Sequence, residues 1–321
     1  MDNKVKVALY GSNGHQIAIY MDDNPYAELV AVCDYGKEKL PDALKDKGSI
    51  KEYASLDEML EDQEIELISL CSAKRSDQAE DTIKCLKHGK HVYAEKPCAL
   101  TETDLDRIIQ TSRSTGKIFH EMASTAFEQP YLQMQKIIRE GTIGNVVQVL
   151  AQKSYPYHEN RPKDEKIDGG LMCQVGVHAT RFVEHVTGLK ITEIISMETD
   201  IENHGHGDLR SASAMMMRLE NGGIASIISN YLNPPAFPSW GNETLRVFGT
   251  KGFIEAVDGG TRKRLVLNDK DCGEFEITEK LPQFHDMIFM EIRGEYTMPL
   301  SLEDEIHPTR MVIRAKEQLT K

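Results

Sequence analysis

Four short apolar runs, VKVALY (5–10), LVAVCD (29–34), LISLCS (67–72) and HVYAE (91–95), alternate with amphipathic stretches in the first third of the chain. Each run has the length of a strand, and the stretches between them are long enough to be the crossover helices of βαβ units. Such crossovers are right-handed and join parallel neighbours, so this region is held to a doubly wound parallel sheet covered on both faces. The run HVYAE is preceded by a helix that Gly89 ends. A further helix is expected from about Thr103 to Ser114, stopping near Gly116, with a short strand at KIFH.

Beyond Pro130 the pattern changes. A helix, PYLQMQKIIREG, and a strand, VVQVLAQ, lead into a segment that begins GGLMCQVGVH; strands then dominate, at ITEIISMET, SASAMMMRLE, IASIISNYL, TLRVFG, FIEAV, RLVLN and EFEIT. NGG (221–223) and GTKG (249–252) carry the glycines that hairpin turns require. The expected class is α/β: a doubly wound domain over residues 1–122, then an α+β domain over residues 123–321 with a large open, mostly antiparallel sheet. NPPAFPSW (233–240) reads as a stiff ordered loop.

With 51 acidic against 38 basic residues the formal charge is −13, and no basic block interrupts it. Polyanions are repelled by such a surface, so nucleic acid and acidic membranes are not expected partners. The six cysteines lack Cys-x-x-Cys spacing and several sit inside apolar runs, which fits thiols packed in a reducing cytoplasm. No signal for export and no membrane-length apolar run is evident, so a cytoplasmic protein is expected.

Directly after the first run come Gly11, Ser12, Asn13, Gly14, His15 and Gln16, then the helix-like IAIYMDD and a strand ending at Asp34. Glycine permits a tight turn whose N–H groups face outward, and a helix N-terminus behind it favours a pyrophosphate. Asp34 is placed to accept hydrogen bonds from a ribose 2′-hydroxyl and to repel a 2′-phosphate, which favours NAD; Lys37, close behind, keeps NADP open. Asn13 and Gln16 occupy the second and third glycine positions of the dinucleotide fingerprint. Gln16 in particular implies looser packing of helix on strand.

In GKHVYAEKP (89–97), Lys96 emerges at a strand's carboxyl end, the edge where doubly wound sheets bind ligands. An ammonium there either stabilises an alkoxide-like oxygen or is a surface lysine before a turn. A helix is predicted over residues 170–186, with Asp168 as N-cap and Gly188 as stop. It carries Leu171, Val175, Ala179, Phe182 and Val186 on its buried face and Gln174, His178, Arg181 and His185 as a polar stripe bordering a cleft or interface. His178 is either a general base or a hydrogen-bonded structural histidine. Lys153, Tyr155, Tyr157 and His158, in KSYPYHENRP, alternate polar and aromatic character, as sugar sites often do and as an exposed loop also does.

The glycine turn, GKHVYAEKP, EGTIGNVVQV (140–149), GGLMCQVGVH and LRVFGTKGFIEA (245–256) resemble, in that order, the Gfo/Idh/MocA oxidoreductases, the glucose–fructose oxidoreductase and inositol dehydrogenase group. The resemblance covers nearly the whole chain. It implies a Rossmann domain, a second domain for substrate binding and oligomerisation, hydride transfer between NAD(P) and a sugar, cyclitol or related polyol, and a homodimer or homotetramer. It makes Lys96 the lysine that contacts substrate near the nicotinamide and His178 the catalytic histidine. Gln174 stands where many members carry an aspartate; it cannot act as a base and is left to orient a hydroxyl. Members often read Thr-Pro and then His after the third strand. Here the cofactor contacts fall instead to Cys71, Ser72, Ala73 and Gln78, with Glu95 and Lys96.

Two other readings stay open: an NAD-dependent redox-assisted glycosidase, in which the hydride is returned after elimination, and a non-catalytic dinucleotide sensor. A metal-dependent hydrolase would rest on His204, His206 and Asp208, but the two histidines lack an evident partner for the usual catalytic set, so the stretch reads as a polar hairpin loop and no metal is expected.

Overall fold

The computed structural model describes residues 4–45, 47–203 and 207–319. Its compact units are the chain up to Met122 together with Pro282–Ile306, and Ala123–Leu281 together with the chain from His307. The second crossing of the chain, at residues 282–306, has no counterpart in the alternation of apolar runs.

The first unit holds strands β1 (Val5–Tyr10), β2 (Ala27–Cys33), β3 (Lys51–Tyr53), β4 (Leu67–Leu70), β5 (His91–Glu95) and β6 (Phe119–Met122) in the order β3-β2-β1-β4-β5-β6. Every pair is parallel. The order reverses at β1 and β4, which makes their carboxyl ends the switch point where ligands of doubly wound sheets bind. Helices α1 (Asp42–Lys45), α2 (Leu56–Leu60), α3 (Gln78–Lys87) and α4 (Glu102–Thr115) connect the strands. Thr101 caps α4, its Oγ1 accepting from Asp104 N–H at 3.1 Å, and left-handed Gly116 stops it, as expected.

Two features differ from the expectation. The exposed edge strand β3 escaped notice because KEY has no apolar alternation. More important, IAIYMDD is no helix: residues Ile17–Tyr20 form a single 3-10 turn. Pro25 disfavours helical backbone at Asn24, Asp23 adopts φ 49°, and Asn24 Oδ1 takes the N–H groups of Tyr26 and Ala27 at 2.9 and 3.0 Å. The segment therefore turns back into β2 before a second helical turn can form.

The second unit is built on β7 (Val146–Ser154), β8 (Ile191–Thr199), β9 (Ala212–Leu219), β10 (Ile224–Asn230), β11 (Asn242–Gly249), β12 (Gly252–Val257), β13 (Arg262–Leu267) and β14 (Lys270–Gly273). They form one eight-stranded sheet, β14-β13-β12-β11-β7-β10-β9-β8, antiparallel except for β10 on β7. Both expected glycine hairpins are present, at β9–β10 and β11–β12. EFEIT (274–278) is not a strand; Phe275 is buried in the core and Thr278 gives its N–H and hydroxyl to Gln133 Oε1, so side-chain anchoring replaces pairing. Helix α5 (Tyr131–Arg139), the helix containing α7 (Val177–Arg181) and the latter part of α9 (Leu302–Leu319) supply the core on one face of the sheet, and the short α6 (Glu165–Asp168) precedes the α7 helix. Helix α8 (Phe284–Ile292) returns to the first unit, where Glu291 and Glu305 grip His120 of β6 at 2.7 and 2.6 Å.

Candidate active site

The glycine loop closes tightly over the switch point. Gly11 has φ +70°, and a Cβ there would lie 2.0 Å from the Cys71 carbonyl oxygen, so no other residue fits. Gly14, φ +142°, stands over the Glu95 side chain, 2.5 Å from where its Cβ would be. Asn13 Nδ2 donates to the Ala73 carbonyl at 3.0 Å. Ser12, Gly14 and His15 face outward and exposed. The expected outward N–H groups are only partly there: Gly11 N–H donates to the Cys33 carbonyl at 2.9 Å and His15 N–H to Glu95, and with a single 3-10 turn behind the loop no helix dipole backs it.

Gln16 corrects the expectation of loose packing. Its Nε2 lies within 3.1 Å of the carbonyls of Tyr10, Gly11 and Ser69, and its Oε1 accepts from Ser69 Oγ at 2.6 Å. The side chain thus ties the carboxyl ends of β1 and β4 together.

Beneath the loop lies Glu95, buried at the end of β5. It accepts from the His15 N–H and faces His15 Nδ1 at 2.9 Å; its other oxygen accepts from Lys96 N–H at 3.0 Å and lies 3.6 Å from Lys96 Nζ. Burial alone would raise its pKa, but the Lys96 ammonium, His15 and the Arg75 guanidinium hold it down to about 2. Arg75, a residue the sequence reading passed over, is buried and donates to the Asn13 carbonyl at 2.6 Å and to Gln78. One buried carboxylate against two buried cations leaves the floor of the loop positive.

Other expected cofactor residues turn inward. Cys71 is wholly buried and contributes its carbonyl; burial, then the Glu95 charge, pushes its thiol far up. Ser72 Oγ donates to Asp81 at 2.6 Å, and Gln78 clasps Ser72 N–H with its oxygen and the Glu95 carbonyl with its nitrogen. Asp34 is exposed with φ 51° at the end of β2. Lys37 is occupied by the Ile50 carbonyl at 2.8 Å, whereas Lys39 reaches Ser12 Oγ at 3.1 Å.

In the second unit the predicted helix is present at 170–187, with Gly170 N–H on Asp168 Oδ1 at 2.9 Å and Gly188 left-handed at its end. It is not uniform: π turns at Met172–Gly176 and Phe182–Val186 flank α7. Gly176 lets the helix settle on β9 and β10, since a Cβ would come within 2.9 Å of Met215 Cε and 3.3 Å of Ser229 Oγ. His178 is buried, with Nδ1 3.0 Å from Thr125 Oγ1. Gln174 donates to the Asp168 carbonyl, closing the wide first turn. Arg181 and His185 are both buried, Arg181 donating to the Ala123 carbonyl at 3.2 Å and His185 lying against Phe127.

The loop after β7 is partly assembled as expected. Lys153 and Glu243 are register partners on β7 and β11 and form a largely buried ion pair, to which Tyr131 adds a hydroxyl at 3.1 Å. Tyr155 lies beside Lys153 and near Trp240, and His158 near Trp240 as well. Tyr157 instead takes the Lys163 ammonium at 2.9 Å. Glu243 and Trp240 were missed, although the only tryptophan, set in a proline-rich loop, was a usable signal. Among the described residues no group of three or more acidic, histidine or cysteine side chains is placed to hold a metal; His204 and His206 lie outside the described residues.

Residues 5–122 match the model of an oxidoreductase family with an NAD-binding Rossmann fold, and residues 131–255 match the Gfo/Idh/MocA C-terminal domain. The chain belongs to the Gfo/Idh/MocA oxidoreductase family. Within that family it is 25% identical over 275 residues, 83% of this chain and 79% of the relative, to the myo-inositol 2-dehydrogenase of Thermotoga maritima. It is 24% identical to the trans-1,2-dihydrobenzene-1,2-diol dehydrogenase of Bos taurus, over 72% of this chain and 66% of that one. A solved Thermotoga maritima structure superposes with a TM-score of 0.87 at 25% identity, covering 99% of this chain and 98% of the other. No helix among the described residues is long and apolar enough to cross a membrane.

Proposed function

We propose that this family member is an NAD-dependent dehydrogenase of a sugar, cyclitol or related polyol, with Lys96 and His178 as its catalytic residues. The observation that carries the reading is the Glu95 cluster: the carboxylate that pins the glycine loop also holds the neighbouring Lys96, so the loop and the ammonium share one anchor. When bound, the nicotinamide supplies the hydride acceptor. Oxidation breaks the carbinol C–H and O–H bonds and forms a carbonyl; Lys96 donates to the oxygen as charge develops on it. With Nδ1–H given to Thr125 Oγ1, His178 accepts the hydroxyl proton at Nε2. Gln174, whose amide nitrogen donates to the Asp168 carbonyl, orients a substrate hydroxyl. Lys153, near the end of β7, and Tyr155, Tyr157 and His158 in the loop after it bind the substrate.

The preference for NAD rests on exposed Asp34 at the end of β2 and on Lys37 being held at Ile50. Relatives named as inositol and dihydrodiol dehydrogenases support a vicinal polyol or diol substrate. That the described cysteines form no disulfide suits a reducing cytoplasm. A homodimer or homotetramer is supported by the open sheet face, where Ile195, Met216 and Leu150 in one row and Met197 and Ile228 in the next are exposed. The test is a screen of sugars, inositols and diols with NAD and NADP separately, following absorbance of the reduced nicotinamide. Turnover with at least one polyol and a preference for NAD is expected; cofactor binding without turnover of any of them would replace this reading with the sensor.

A further inference from the structure

We infer that Trp240 is a stacking platform for a second ring of the substrate, so that the molecule oxidised is a glycoside rather than a single-ring polyol; this rests on the dehydrogenase reading above. Trp240 is the only tryptophan of the chain, and 57% of its surface is exposed. An exposed aromatic is unremarkable when its loop is loose, but this one is braced. Buried Asn233 donates through Nδ2 to the carbonyls of Ser239 and Trp240 at 3.2 and 3.1 Å. Ser239 Oγ donates to the Gly241 carbonyl at 2.7 Å, and Phe237 N–H to the Pro234 carbonyl at 2.9 Å. With Pro234, Pro235 and Pro238 limiting the backbone, the indole is held outward and little ordering remains to be done when a ligand arrives.

Around the indole the structure supplies what a pyranose needs. Tyr155 and His158 have ring centroids 6.3 and 5.9 Å from it, tilted by 35° and 36°, so the three rings form a shallow aromatic corner suited to the C–H face of a sugar. Next to Trp240, Gly241 packs close to the same groups: a Cβ there would lie 3.2 Å from Lys153 Nζ and 3.5 Å from Tyr155 Cε1. The corner therefore adjoins the Lys153–Glu243 pair, whose charged groups suit hydroxyls. Asn242 Oδ1, beside Glu243 in the chain, is buried and has no hydrogen-bond partner among the described residues. Burial falls from Lys153 at 5% exposure, through half-buried Tyr155, to the indole. One ring at the buried pair leaves the outermost platform uncovered; a second, solvent-side ring covers it.

The sole tryptophan makes the test direct. Maltose, cellobiose and lactose, with glucose and myo-inositol as single-ring controls, are titrated into the wild-type protein while indole emission is followed, and the same panel is assayed with NAD. At least one disaccharide is expected to change the emission saturably where the single rings do not. Trp240→Ala should raise the KM for that disaccharide about tenfold with kcat within about twofold, and Trp240→Phe should recover most of the loss. Unchanged emission with all three disaccharides overturns the inference, as does an emission change that tracks protein concentration instead of ligand. Either result leaves the dehydrogenase reading intact if a single-ring polyol is turned over. Saturable binding of a disaccharide with no turnover of any compound would instead refute the dehydrogenase reading while keeping the platform.

Discussion

At Glu95 a single carboxylate serves the loop backbone, the Lys96 ammonium and, through its field, Arg75. Glu95→Gln keeps the shape but leaves two buried cations undercompensated, so denaturant unfolding should show a loss of about 3–5 kcal/mol and weaker NAD binding by thermal shift. The pH dependence follows from the same cluster. The Glu95 pKa falls from 4.5 to about 2 on folding, so its contribution is complete above about 4.5 and is lost as pH drops from there towards 2. Thr125 orients His178. Thr125→Ala should lower kcat about 10- to 100-fold with little change in KM, and Thr125→Ser should restore it. The tight turn at Gly11 and the place of Lys96 just after β5 were legible, because a glycine turn and a strand end each mark themselves in the sequence. The clasps made by Gln16, Gln78 and Arg75 were not, since a polar residue after a strand carries no mark of the carbonyl it will meet.

Among the elements, the strands were read well wherever one face is buried, because alternation then appears in the sequence, as in SASAMMMRLE for β9. The errors lie where local chemistry decided the outcome. Asn24-Pro25 cut the first crossover to one 3-10 turn, and Thr278 on Gln133 replaced strand pairing for EFEIT. The π turns around α7 left no trace in a pattern that also fits an ordinary helix. The tie among β6, α8 and the start of α9 gives a prediction at this scale. His120 donates to Glu291 and Glu305, and although burial opposes its charge, Glu305 and then Glu291 raise its pKa to about 10. Its stabilisation is therefore full below the unfolded value of about 6.5 and is lost as pH rises from there through about 10. Urea unfolding across that range should show the decline in the wild type and a flattened profile in His120→Asn.

For the molecule as a whole, the class and the family were both legible, the first from the period of apolar runs and the second from five motifs in order. The return of residues 282–306 to the first unit was not, because a helix sequence does not state which core it joins. The exposed rows on β8, β9, β10 and β7 carry the prediction about assembly. Met216→Arg, placed in the middle of the apolar face, should shift a dimer or tetramer to smaller species by light scattering without changing the unfolding midpoint of the isolated chain. The central claim is that Lys96 and His178 perform the oxidation, and steady-state NAD reduction by Lys96→Ala and His178→Ala, with any polyol the wild type accepts, tests it most directly. The account predicts a fall in kcat of about 10²- to 10⁴-fold for each, with NAD affinity kept within a few-fold for His178→Ala; turnover near wild type in both variants would contradict it.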